Sequence, residues 1–145
     1  MKIAIGSDHG GYELKQQLLA HLEELGHEVR DFGSFSPEKV DYPDIAAPLA
    51  RAVAAGEYER GLLICGTGLG MSIAANKIHG VRAACCSDCY SAKLTREHND
   101  ANILCMGGRV LGIGLAKMMV DIFLSTPFAG KHHEARIAKI TELEQ

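Results

Sequence analysis

The sequence lacks a hydrophobic run long enough for a membrane: no stretch approaches the roughly 18 apolar residues that span a bilayer. It lacks the apolar core of a signal peptide. The opening residues, MKIAIGSDHGG, carry charge and glycine instead, and a cytoplasmic location is the expectation. It lacks a basic excess. Fifteen Lys and Arg against eighteen Asp and Glu give a net charge of −3, which argues against a general nucleic-acid surface and leaves any anionic ligand to a local positive field. A disulfide framework is not expected either, because the five cysteines (Cys65, Cys85, Cys86, Cys89 and Cys105) are odd in number and follow no secretory signal. Cys86 and Cys89 have C-x-x-C spacing, yet no second pair stands where a zinc site would need it, and His132–His133 is a poor substitute. A redox pair at a strand-to-helix turn is the other reading of CSDC; structural thiols are the expected one.

What is present is an alternation of short apolar strands with helical patterns over 145 residues, a length that suits one domain with a sizeable core. The strands are Lys2–Ile5, His27–Gly33, Gly61–Cys65, Val81–Ser87 and Asn102–Gly108. The first helix spans Tyr12 to Leu25, with Leu14, Leu18, Leu22 and Leu25 on one face and Gly26 as its stop. Further helices cover Asp44–Ala55, Leu69–Lys77, Tyr90–Glu97 and Gly112–Leu124. A last amphipathic helix covers about 131–143 and carries Ile137, Ile140 and Leu143 on one side. The run GLLIC has no polar alternation, as expected of a strand buried on both faces of a parallel sheet. Five strands alternating with helices predict a Rossmann-like, doubly wound five-stranded parallel sheet in a three-layer αβα sandwich. Ligands of such sheets bind beyond the carboxyl ends of the strands at the switch point. That rule selects Asp8 and His9, Cys65 to Gly70, Ser87 and Asp88, and Gly107 to Arg109.

The stretch LLICGTGLGMS, Leu62 to Ser72, carries the strongest chemistry. Gly66, Gly68 and Gly70 let the backbone turn tightly and expose N–H groups, and the following helix adds the positive end of its dipole. Together they make an anion cradle or an oxyanion hole. The loop is not a dinucleotide fingerprint, because its third glycine is misplaced and it follows the third strand; nor is it a P-loop, because no Gly-Lys-Ser/Thr follows. Cys65 stands just before the helix, where amides favour a thiolate able to act as nucleophile or proton-abstracting base; a buried structural cysteine is the other reading. Thr67 adds a hydroxyl that can pass a proton. Asp8 either orients His9, meets substrate hydroxyls or caps a helix. His98 closes a helix, where it would tend to hold its proton and can serve as an acid. Arg109, Lys131 and Arg136 flank the cleft with charges suited to phosphate. The set has no metal constellation and no cofactor fingerprint, and suits proton transfer on a small phosphorylated substrate.

The motifs GSDHGGYELK, DYPD, CGTGLGMSIAANK, REHNDANIL and GGRV, spread over essentially the whole chain, resemble the B-type ribose-5-phosphate isomerase family, which also contains isomerases of allose 6-phosphate and galactose 6-phosphate. The resemblance implies a cofactor-free aldose–ketose isomerase acting through a cis-enediolate. It makes Cys65 the base that moves the proton between C1 and C2; members with a Glu at the position of Met71 have glycine in place of the cysteine. It gives Thr67 a proton shuttle, His98 ring opening, and Asp8 the ring-end hydroxyls. Tyr42, Gly66, Gly68, Leu69, Gly70 and Asn99 join His9 around the substrate. His9, Arg109, His132 and Arg136 are the implied phosphate positions. The implied state is a homodimer, or a tetramer of such dimers, with the site between subunits and the C-terminal helix on the partner. One position departs: His132 stands where the family has the first Arg of Gly-Arg-His-x-x-Arg, and Lys131 stands for its glycine. That opens the choice between a five-carbon, six-carbon or unphosphorylated sugar. Two other readings remain: a non-catalytic nucleotide- or sugar-phosphate-binding module resting on the glycine loop and Asp88, and a thiol oxidoreductase using Cys86 and Cys89.

Overall fold

In the computed structural model, which describes residues 1–144, the five apolar runs form one parallel sheet. Gln145, the last residue of the expected domain, lies outside the described residues. In chain order the elements are β1 (Lys2–Ser7), α1 (Tyr12–Glu24), β2 (Glu28–Asp31), α2 (Tyr42–Ala54), β3 (Arg60–Cys65), α3 (Leu69–Ala75), β4 (Ala83–Cys85), α4 (Cys89–Asn99), β5 (Ile103–Gly107), α5 (Ile113–Ser125) and α6 (His132–Thr141), with a 3-10 turn at His9–Gly11. The strand order is β2-β1-β3-β5-β4, so the expected doubly wound sheet is present.

Strand alternation sorts the core into two layers. Ile3, Ile5, Leu62, Ile64, Leu104 and Met106 share one buried cluster with Leu14, Leu18 and Leu22 of α1 and Met119, Val120 and Phe123 of α5. Ala4, Leu63, Cys65, Ile103 and Cys105 share the other with Leu49, Ala50 and Val53 of α2 and Met71 and Ala75 of α3. Each fully buried Leu, Ile, Met or Phe contributes about 1.5–3 kcal/mol, so the central strands β1, β3 and β5 anchor the fold.

Several boundaries differ from expectation, each for a local reason. Helix α2 starts at Tyr42 rather than Asp44, because Pro43 fits the first turn, where its missing N–H costs nothing. Leu25, expected on the apolar face of α1, is the C-cap and is exposed. Strand β4 is an edge strand that pairs only over Ala83–Cys85. Its free side is covered by Asn76, whose amide donates to the Ala83 carbonyl and whose carbonyl accepts from the Ala83 N–H, both at 2.8 Å. That use of Asn76 accompanies the end of α3 at Ala75, short of Lys77. Lys15 is fully buried; its Nζ donates to both carboxylate oxygens of Asp31 at 2.8 Å and to the Ser34 carbonyl at 2.5 Å.

Candidate active site

Strand β1 lies between β2 and β3, so the chain crosses to opposite sides at β1 and opens a crevice beyond the carboxyl ends of β1 and β3. Asp8 and Cys65 sit there. The Asp8 N–H donates to the Ile64 carbonyl at 3.2 Å, which ties the two strand ends together. Asp8 is buried, and its Oδ1 accepts from the N–H groups of Gly10 (2.8 Å) and Gly11 (3.2 Å). The capping reading of Asp8 is therefore present in the structure. The orientation of His9 comes from elsewhere: the Val40 N–H donates to His9 Nδ1 at 3.4 Å.

The loop after β3 is held from both sides. The Gly108 N–H donates to the Cys65 carbonyl (2.8 Å) and the Arg109 N–H to the Gly66 carbonyl (3.0 Å), so the ends of β5 and β3 fix its entry. Gly68 has φ +83°, a left-handed conformation that an L side chain resists. Its N–H donates to Cys65 Sγ at 3.1 Å. The same peptide unit presents the Thr67 carbonyl to Cys85 Sγ at 3.6 Å, so one amide group lies between the two thiols. The Leu69 N–H donates to Thr67 Oγ1 at 3.3 Å. The Tyr42 ring covers Gly70 so closely that a Cβ there would lie 2.8 Å from it. Helix α3 has only seven residues, so the loop's own N–H groups supply more of its positive character than the helix dipole does.

Cys65 is 5% exposed, beneath this loop and within the core layer of Leu63, Met71 and Cys105. All five cysteines are free thiols. Burial pushes the Cys85 thiol up, and Cys65 nearby adds to it. Burial pushes Cys86 up to about 11, with Cys85 and Asp88 contributing. Full burial holds Cys105 well above the ordinary thiol value. The CSDC pair thus contains a poor nucleophile. Among the described residues no three His, Cys, Asp or Glu gather where a metal ion could be held.

The anion-binding candidates divide. His9 and Arg109 share a cavity of about 240 Å³ with Gly10, Tyr12, Pro37 and Gly108 at the carboxyl end of the sheet. A Cβ on Gly66 would lie 3.3 Å from Arg109 Nη1, so this guanidinium lies over the glycine loop. His98, Asn99, His132 and Arg136 lie elsewhere. Helix α4 runs back from β4, and its end meets the start of β5, where the Asn102 N–H donates to the Arg82 carbonyl at 3.0 Å. His98 stacks on the buried His133 (centroids 4.3 Å apart, planes at 15°), and His132 lies 4.1 Å from the same ring. Burial pushes the His133 imidazole below its usual value, and His132, His98 and Arg136 act in the same direction. This group is therefore at the amino end of the sheet, a strand's length or roughly 15–20 Å from Cys65 at about 3.3 Å per residue. One chain does not bring His98 to Cys65. The sequence reading passed over Lys15, although its spacing of three and seven from Leu18 and Leu22 places it on the apolar stripe of α1. Cys85, named only among the five cysteines, stands in β4 register beside Cys105, which points it at the loop.

Residues 3–140 match the model of the ribose/galactose isomerase family. The chain is 54% identical to ribose-5-phosphate isomerase B of Escherichia coli, over 99% of this chain and 97% of that protein. The structure of ribose-5-phosphate isomerase B from Clostridium thermocellum superposes with a TM-score of 0.98 at 55% identity, covering 99% and 97% of the two chains. That of a ribose-5-phosphate isomerase from Thermotoga maritima gives 0.96 at 52% identity, covering 97% of each. The chain belongs to the ribose/galactose isomerase family and is a sugar-phosphate isomerase.

Proposed function

We propose that this member of the ribose/galactose isomerase family interconverts ribose 5-phosphate and ribulose 5-phosphate, with Cys65 as the base. The observation that carries the reading is the Cys65 sulfur at the switch point, accepting the Gly68 N–H at 3.1 Å beneath a loop of exposed amides. That contact aims the sulfur into the loop, where a substrate carbon would sit. With the sugar open, the thiolate takes the C2 proton and the electron pair moves onto the carbonyl oxygen at C1. The N–H groups of Gly66 to Gly70 hold the enediolate oxygens, as in other preorganised oxyanion sites. Thr67 passes a proton between O1 and O2, and the thiol returns its proton to C1. Before that, His98 protonates the ring oxygen as the C1–O4 bond breaks and the O1 hydroxyl gives up its proton to water, while Asp8 hydrogen-bonds the hydroxyls at that end of the ring. Asn99 binds the substrate, and His9, Arg109, His132 and Arg136 hold the phosphate.

This division of labour requires a second copy of the chain. His98, Asn99, His132 and Arg136 lie at the far end of the sheet from their own Cys65, so each site takes them from a partner in a homodimer. The exposed Ile140 and Leu143 at the C-terminal end of the chain support the same assembly, because among the described residues of α6 only His133 is buried. Ribose 5-phosphate incubated in heavy water is expected to give ribulose 5-phosphate carrying solvent deuterium at C1. Absence of turnover removes the reading. Mixing Cys65→Ala with His98→Asn homodimers is expected to restore about a quarter of wild-type activity, since half the dimers become hybrids with one intact site of two. A mixture as inactive as its parents would remove the shared site.

A further inference from the structure

Helix α4 ends in an arrangement that its packing alone does not require. Asp100 follows the last residue, Asn99, in a left-handed conformation (φ 45°, ψ 44°) rare for residues other than glycine, asparagine and aspartate. Its carboxylate meets two guanidiniums: Arg96 Nη1 donates to Oδ1 at 2.8 Å, and Arg82 Nη2 lies 3.5 Å from Oδ2. The same two arginines take up the carbonyls that a helix end leaves without partners. Arg82 Nε donates to the Asn99 carbonyl (2.8 Å) and Arg82 Nη2 to the Asp100 carbonyl (3.0 Å). Arg96 Nη1 donates to the Ala101 carbonyl (2.7 Å) and Arg96 Nε to that of Thr126 (3.1 Å). Arg96 is 2% exposed, so its charge depends on this carboxylate for compensation. Asp100 also acts on Arg60, whose pKa burial and Arg96 push down and whose charge Asp100 favours.

The geometry points to Asp100, with Arg82 and Arg96, as a positioning device that aims His98 at the sugar ring. The inference rests on the ring-opening role given to His98 above. Arg82 ties the last turn of α4 to the start of the edge strand β4. Arg96 ties it to Thr126 after α5, on the segment leading to His132 and His133. The turn that carries His98 is thus fixed against both of its neighbours, while the His98 and Asn99 side chains remain exposed for a partner's substrate. Neutralising Asp100 leaves two guanidiniums facing each other with no anion between them, and the turn relaxes. A misplacement of about 1 Å in such a group costs on the order of a hundredfold in rate.

The two reaction directions separate positioning from stability. Ribose 5-phosphate is a closed furanose and needs ring opening. Ribulose 5-phosphate carries its phosphate on the oxygen a five-membered ring would need, so it is open. Its C1 proton can exchange with solvent through Cys65 and the loop without the ring-opening step at His98. In Asp100→Asn, which keeps a residue tolerant of the left-handed conformation, turnover of ribose 5-phosphate is expected to fall roughly ten- to hundredfold. Deuterium exchange at C1 of ribulose 5-phosphate should stay within about twofold of wild type, because no ring opening is involved. Arg82→Gln, which keeps the buried Arg96–Asp100 pair, should give the same split and serves if Asp100→Asn does not fold. Parallel loss of both reactions in the soluble variants, or loss of neither, overturns the inference. A wild-type protein inactive in both assays instead removes the isomerase reading, and the positioning role with it.

Discussion

Replacing Gly68 with alanine perturbs the one residue whose conformation and N–H both serve Cys65. At φ +83° an L side chain costs roughly 1–2 kcal/mol. The added Cβ would also lie 2.8 Å from the Met106 carbonyl carbon, 3.0 Å from its oxygen and 3.0 Å from Cys85 Sγ. Met106 is fully buried within β5 and its backbone does not yield, so the loop moves instead and the 3.1 Å bond to Cys65 Sγ is lost or lengthened. Removing one donor from a preorganised anion site costs about 10²–10³ in kcat. The strain of about 2 kcal/mol should lower Tm by roughly 4–8 °C for a domain of this size. The control is Gly66→Ala, where a Cβ would meet only the tip of the exposed Arg109 at 3.3 Å, so Tm should barely change. Initial rates from ribose 5-phosphate and thermal melts decide the matter. Gly68→Ala turning over within about threefold of wild type, despite the lowered Tm, would refute the claim that this amide serves the reacting sulfur.

Lys15→Met should destabilise the fold by about 3–5 kcal/mol, because it strands Asp31 beside a buried site that lost its cation; chemical denaturation measures it, and a loss under about 1 kcal/mol contradicts the pairing. The lowered pKa of His133 means that the unfolded chain takes up its proton first as pH falls. Its contribution to stability is therefore complete above the ordinary histidine value and is lost as pH drops through the folded value. His133→Gln should flatten Tm against pH below neutrality, and an unchanged slope contradicts it. Cys86→Ser should leave turnover unchanged, because burial holds that thiol near 11; a large loss would revive a redox role for CSDC.

The fold was largely legible because apolar periodicity reports burial directly. GLLIC became the central strand β3, and the leucines spaced four apart became the inner face of α1. Edges and ends were less legible. The length of β4 depends on Asn76, seven residues before Ala83, a tertiary contact with no periodic signature. The carboxyl-end rule found Asp8, His9, Cys65 and Arg109 together. It does not reach His98, His132 and Arg136, which lie at the opposite end, because it describes one chain and the proposed site takes residues from two. Polar groups that serve the fold are hard to separate from those that serve chemistry. Lys15 stands inside a motif that carries the family resemblance, yet its bonds go to Asp31 and Ser34.

The most direct test of the role given to Cys65 is deuterium entry at C1 of ribulose 5-phosphate in heavy water, measured by proton NMR on Cys65→Ala. The open ketose bypasses ring opening, so the signal reports only carbon–hydrogen cleavage. Folded Cys65→Ala is expected to show exchange no faster than buffer alone. Exchange at a rate near that of wild type would mean that another group removes the proton.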